Sequence, residues 1–188
     1  MKVYLASTNP HKLSEFQPLL EGAPFVLSAM PEAVEVEETG STFIENARLK
    51  ASACARRFGV PCLADDSGIS VKALDGRPGI ASARYAPTDA ERISKLLREL
   101  APHADRSATF HCALVLAWPD GKELVEEGIV PGRVTIEPRG TGGFGYDPVF
   151  EVAEMGRTYA ELSAEEKNAH SHRARAVAQL LERLKVPR

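Results

Sequence analysis

Cys62-Leu63-Ala64-Asp65-Asp66-Ser67-Gly68 is an apolar run that ends on two adjacent acids, a hydroxyl and a glycine. Cys62 to Ala64 read as the end of a short buried strand, and Gly68 permits a sharp exit from it. Successive side chains of a strand point to opposite faces, so a strand continuing through the pair would send one carboxylate to each side. The expected arrangement is a corner at the strand end, with both carboxylates reaching a common cleft and Ile69 to Val71 forming a further strand. Neighbouring like charges need a cation or basic side chains nearby to offset them. Taken alone, the same residues also suit a turn or cap, since Asp and Ser bond readily to local backbone.

Upstream of this segment, Val3 to Ala6 read as a buried strand, followed by Asn9 as a helix N-cap and Pro10 at the first helical position. That helix runs through Leu13, Phe16, Leu19 and Leu20, with Pro18 kinking or shortening it. Thr42-x-x-Glu45 is a capping box that opens a helix with Ile44, Ala47, Ala51, Cys54 and Phe58 on one face; Gly59 and Pro61 end it. Downstream, Thr88-x-x-Glu91 opens a helix through Leu100. From Thr109 the pattern alternates: Phe110, Cys112, Leu114 and Leu116 point one way, and His111, Ala113, Val115 and Ala117 the other. This predicts a long strand covered on both faces, turning at Pro119-Asp120-Gly121 into a second strand over Glu123 to Val130. Ser163-x-x-Glu166 starts the last helical stretch, which reads equally well as one kinked helix or two. Strand–helix units followed by a long hairpin predict the α/β class: a mixed, elongated central sheet with helices on both faces, and two lobes around a cleft. One domain is expected over residues 1–188.

The composition narrows the function classes. The chain has 188 residues, 44% apolar and 26% charged, with a formal net charge of −3. A nucleic-acid binder would more often carry a basic stripe, so none is expected as a partner and any anion site must be local. No apolar stretch approaches the roughly 20 residues of a membrane span. Cys54, Cys62 and Cys112 show no CxxC spacing, which fits a reducing, cytoplasmic setting.

Four segments carry candidate chemistry. Ser7-Thr8-Asn9-Pro10-His11-Lys12 places hydroxyls, an amide and a cation at a helix N-terminus, where free N–H groups suit a phosphate or simply a cap. Glu37-Glu38-Thr39-Gly40 precedes the helix bearing Lys50, whose long stem can cross apolar carbons into a cleft or lie in solvent. Arg139-Gly140-Thr141-Gly142-Gly143-Phe144-Gly145-Tyr146-Asp147-Pro148 contains a formal GxGxxG, but Pro148 and a short apolar run stand where a helix should begin, so the dinucleotide reading is rejected. A loop presenting Phe144 or Tyr146 as a stacking surface is the better reading. Glu166-Lys167-Asn168 and Ser171-His172-Arg173 offer two cations and an imidazole suited to the oxo groups of a flat heterocycle. The combined inventory is that of a nucleotide hydrolase, and there is no Walker A spacing.

On these segments, together with Phe43-x-Glu45-Asn46-Ala47 and Gly76-x-Pro78-Gly79 with Ser82-Ala83-Arg84-Tyr85, the chain closely resembles the inosine triphosphate pyrophosphatase family. The resemblance implies Mg2+-dependent hydrolysis of ITP, dITP and XTP to the monophosphate and pyrophosphate, in a homodimer that keeps deaminated purines out of nucleic acid. It implies Asp66 as proton acceptor and metal ligand, with Glu38 as the second metal-site acid. Ser7, Thr8, Asn9, Pro10, His11, Lys12, Lys50 and Ser67 would line the phosphate and sugar. Phe144, Gly145, Tyr146, Asp147, Lys167, His172 and Arg173 would face the base. The alternatives are a Maf-like pyrimidine nucleotide pyrophosphatase and a non-catalytic nucleotide sensor.

Overall fold

The computed structural model describes residues 1–185. Its elements are β1 (Lys2–Leu5), α1 (Pro10–Leu19), β2 (Val26–Ala29), α2 (Phe43–Phe58), β3 (Cys62–Val71), α3 (Asp89–Leu100), β4 (Ser107–Ala117), β5 (Glu123–Val134), β6 (Phe150–Val152), α4 (Ala164–His170) and α5 (His172–Lys185). Among the described residues the sheet has six strands in the order β2-β1-β3-β4-β5-β6. β1 pairs in parallel with both β2 and β3, and β5 pairs antiparallel with β6, so the sheet is mixed and the class is α/β. No helix among the described residues is long and apolar enough to cross a membrane.

The chain divides into two compact units. The first comprises Met1–Asp66, Cys112–Gly128 and the chain from His172. Here β4 shows the predicted alternation. Cys112, Leu114 and Leu116 pack with Val3, Leu5, Leu63, Phe16 of α1 and Ala176, Val177 and Leu180 of α5. Ala113, Val115 and Ala117 pack on the other side with Cys62, Ala64 and Ala47, Ala51, Cys54 and Ala55 of α2. Small residues on both partners let α2 lie close against its face of the sheet, while the opposite face takes the large side chains. Helices therefore cover both faces of this unit's strands.

The second unit comprises Ser67–His111 and Ile129–Ser171. Its core gathers Ile69, Val71, Leu96, Leu100, Phe110, Val130, Val134, Tyr146, Phe150 and Tyr159. Phe110 and Phe150 meet edge to face at 4.8 Å, the offset that ring quadrupoles favour.

Local signals explain most element ends. Asn9 caps α1 through its side chain, and Thr42 and Ser163 close reciprocal capping boxes with Glu45 and Glu166. Gly59 ends α2 at φ 65°, where a side chain would be strained. One expectation is corrected: the acidic segment is no corner, because β3 is one unbroken strand through Asp65, Asp66, Ser67 and Gly68. Of the two readings of the last helical stretch, the structure has two helices, because Ser171 adopts an extended conformation (φ −74°, ψ 160°) between α4 and α5.

Candidate active site

In the first unit, the unbroken β3 separates the two acids onto opposite faces, following its period of two. Asp66 shares the side of Cys62 and Ala64, which is covered by α2. Lys50 of α2 places Nζ 2.9 Å from Asp66 Oδ1 and 2.9 Å from Glu38 Oε1. Asn46, one turn earlier and fully buried, points Nδ2 toward Asp66 Oδ2 at 3.4 Å. Asn46 is itself oriented by Gly40, whose N–H donates to Asn46 Oδ1 at 2.8 Å. A Cβ at Gly40 would lie 2.7 Å from that oxygen, so only glycine fits the turn. Burial raises the Asp66 pKa, an effect that the Lys50 charge and hydrogen bond oppose without cancelling. Burial works against the Lys50 ammonium too, but the charges of Asp66 and Asp65 outweigh it and raise the Lys50 pKa.

Asp65 lies on the other face with Leu63, between α1 and α5. Lys12 Nζ sits 2.9 Å from its Oδ1, and an Arg173 nitrogen 3.5 Å from its Oδ2. Burial alone would raise the Asp65 pKa, but Lys12, Arg173 and Lys50 overcome it and hold the carboxyl well below the usual range. Arg173, 4% exposed, also donates to Glu15 Oε2 at 2.8 Å. The guanidinium expected to face a base carbonyl is thus engaged by two carboxylates. His172 is 1% exposed at the start of α5. In the N-terminal loop, Ser7 Oγ accepts from the Asn9 N–H at 3.1 Å, and Asn9 Oδ1 from the His11 N–H at 3.0 Å. Thr8, Pro10 and His11 are exposed.

In the second unit, the glycine loop is anchored on carboxylates. Asp147 Oδ2 accepts from the Phe144 N–H at 2.8 Å and from Lys167 Nζ at 2.6 Å. A Cβ at Gly143 would fall 2.0 Å from that oxygen, at a φ of +71°. Asp89 of α3 accepts the Gly145 N–H at 2.7 Å. Lys167 Nζ stands 5.2 Å from the Phe144 ring centroid, within cation–π range. Tyr146 is no stacking surface: its ring is buried in the core and its hydroxyl donates to the Ser82 carbonyl at 2.9 Å. Phe144, half-buried, keeps that possibility. Ser67 also belongs to this unit and is half-buried. β6, not a helix, follows the loop, in line with rejection of a dinucleotide fingerprint.

The donor set is compatible with Mg2+ in one form. Among the described residues no group of three or more His, Cys, Asp or Glu side chains is arranged to hold a metal. Glu38 and Asp66, however, converge on one positive charge, the Lys50 ammonium. Two carboxylates suit Mg2+, which commonly completes its octahedron with waters and substrate phosphate oxygens.

The first unit is thus an α/β fold with acids on two faces of one central strand, each answered by cationic side chains on the flanking helices. The chain belongs to the Ham1 family, which matches residues 3–183. A dITP/XTP pyrophosphatase of Parasynechococcus marenigrum is 54% identical over 177 residues, covering 94% of this chain and 91% of that protein. A dITP/XTP pyrophosphatase of Gloeobacter violaceus is 54% identical over 178 residues, with the same coverage of each. Among solved structures, a HAM1 protein from Coxiella burnetii superposes with a TM-score of 0.90 at 46% identity and covers 98% of both chains. The Ham1 protein of Staphylococcus aureus gives 0.88 at 40% identity, again over 98% of both.

Proposed function

We propose that the chain, acting as one catalytic domain over residues 1–188, hydrolyses deaminated purine nucleoside triphosphates to the monophosphate and pyrophosphate. ITP, dITP and XTP are the substrates and Mg2+ is the required ion. The observation that carries this reading is the Glu38–Lys50–Asp66 cluster, in a chain about half identical to proteins named dITP/XTP pyrophosphatases.

Asp66 accepts a proton from the water that attacks the α-phosphorus. A new P–O bond forms, the bond from the α-phosphorus to the bridging oxygen breaks, and the electron pair leaves on pyrophosphate. A carboxylate with a raised pKa is a better base than an exposed aspartate. Lys50 steadies Asp66 and supplies positive charge for phosphate oxygens, and Asn46 fixes the second Asp66 oxygen. Glu38 and Asp66 would hold Mg2+, which when bound supplies charge neutralisation at the phosphates. Ser7, Thr8, Asn9, Pro10, His11, Lys12 and Ser67 serve the phosphates and sugar. Phe144, Gly145, Asp147, Lys167, His172 and Arg173 serve the base, with Tyr146 holding the loop from behind. A donor facing the 6-position donates to the carbonyl oxygen of hypoxanthine or xanthine and meets the amino group of adenine unfavourably. Mismatches of that kind are rejected by roughly 10⁴–10⁵.

Three buried cysteines, none in a disulfide, fit a cytoplasmic setting, and the family resemblance implies a homodimer, which sedimentation would check. The decisive experiment is pyrophosphate release from ITP, dITP and XTP against ATP, GTP, dTTP and UTP, with and without Mg2+. Release confined to the deaminated purines and dependent on Mg2+ is expected. Preference for a pyrimidine triphosphate, or binding without turnover, would replace the proposal by one of its rivals.

A further inference from the structure

The two adjacent acids do different work because β3 runs straight through them. Asp66 meets Glu38's partner Lys50 on the α2 face. Asp65 has both carboxylate oxygens committed on the opposite face, Oδ1 to Lys12 and Oδ2 to Arg173. Its side chain is 0% exposed, and Lys12 Nζ lies also within 3.4 Å of the Asp65 carbonyl. Glu15, one helical turn after Lys12 on α1, ties Arg173 from a second side.

We propose that Asp65 and Glu15 are positioning residues that seat Lys12 and Arg173 for the nucleotide, and that Asp65 takes no part in metal ligation. The assignment rests on the functional reading above, in which Lys12 and Arg173 serve the substrate. Lys12 and Arg173 are two cations brought to one carboxylate. Without Asp65 they repel each other and lose their common anchor. A buried ion group of this kind is weak evidence for stability, since apolar residues of similar volume often do as well. The same strand face takes Leu63 two residues earlier, so burial alone does not call for an acid at 65. Lys12 keeps 17% of its side chain exposed, and its partners among the described residues are both atoms of Asp65, which leaves a proton of the ammonium for a phosphate oxygen.

The test uses the full chain with Asp65→Asn, Glu15→Gln and, as the metal-side control, Glu38→Gln. Three quantities are read: dITP binding by equilibrium dialysis in EDTA, the Mg2+ concentration at half-maximal pyrophosphate release, and the split of kcat from KM. Asp65→Asn is expected to weaken metal-free dITP binding about tenfold or more, as befits loss of a charge-assisted anchor. Its half-saturating Mg2+ stays within about twofold of the parent. Glu15→Gln raises KM with kcat nearly kept, and Glu38→Gln shifts the Mg2+ dependence. A Mg2+ shift in Asp65→Asn like that of Glu38→Gln would make Asp65 a ligand and overturn the assignment. Parent-like dITP binding in both Asp65→Asn and Glu15→Gln would overturn it too. Should Asp65→Asn fail to fold by thermal melting, Glu15→Gln decides alone, because its side chain is at the protein surface edge and 17% exposed. An active parent with unaffected variants sinks only this inference, whereas a parent that neither binds nor cleaves any nucleoside triphosphate sinks the functional reading with it.

Discussion

Asp66 is the proposed base, and its neighbours show how much a sequence discloses at this scale. Asp66→Asn keeps the size of the side chain but removes the proposed base and one of its two accepting oxygens. Pyrophosphate release should fall by about 10²–10⁴, while dITP still binds in a dialysis measurement. Rates within a few-fold of the parent would remove Asp66 from the base role. Arg173→Ala should lower the ITP-to-ATP selectivity ratio more than it lowers the melting temperature, and an unchanged ratio would count against base recognition by Arg173. That Lys50 could reach a cleft was readable from its place at the border of an apolar helix face, but its partner Asp66 was not. Asn46 was missed as a functional group, although an amide on the apolar face of a capped helix, with Gly40 just upstream, is a signal. Glu15 was missed because its partner Arg173 lies 158 residues away, and no local pattern encodes that meeting.

At the scale of elements, helix starts were the most legible features because they are set by bonds within four residues. The boxes Thr42/Glu45, Thr88/Glu91 and Ser163/Glu166 all form as their spacing predicts. Thr42→Ala should therefore cost about 1 kcal/mol, the usual worth of an N-cap, read from the midpoint of urea unfolding. Gly128 makes a stronger demand, since a Cβ there would lie 1.8 Å from the His172 carbonyl oxygen and 2.6 Å from the Ala176 nitrogen. Neither is a movable side chain. Gly128→Ala should cost about 3 kcal/mol or more, the upper range for overpacking, and the same unfolding assay checks it. The corner expected at Gly68 did not form, because Ser67 to Val71 continue in the sheet and Ile69 and Val71 enter a core. Tertiary pairing outweighed a local breaker.

For the whole molecule, a formal charge of −3 coexists with tight local clusters of cations, so electrostatics matters site by site. Asp65 gives the clearest global consequence. Its folded-state pKa is depressed, so the folded state binds its proton less readily than the unfolded chain does. The stability this contributes is present above the ordinary aspartate value of about 3.9 and is lost as pH falls below it toward the lower folded value. Denaturation in EDTA should show no Asp65-dependent change from neutral pH to about pH 5 and a loss that steepens below about pH 4, shallower in Asp65→Asn. A parallel pH profile for both proteins would contradict the charge assignment. Leu114→Ala, in the large-residue core beside α1 and α5, should cost about 2–5 kcal/mol at neutral pH.

What the amino-acid order determined by itself were features closed within a few residues: the caps, the Gly59 stop, the two-faced alternation of β4, and the set of side chains from which the proposed nucleotide site is drawn. What only the tertiary structure decided was which face each acid occupies and which cation answers it. Strand periodicity divides Asp65 from Asp66, but only the packing of α2 on one side and α1 with α5 on the other puts Lys50 against one carboxylate and Lys12 with Arg173 against its neighbour. Those pairings join residues that are distant in the chain, and their energy depends on burial, which exists only once the helices have docked.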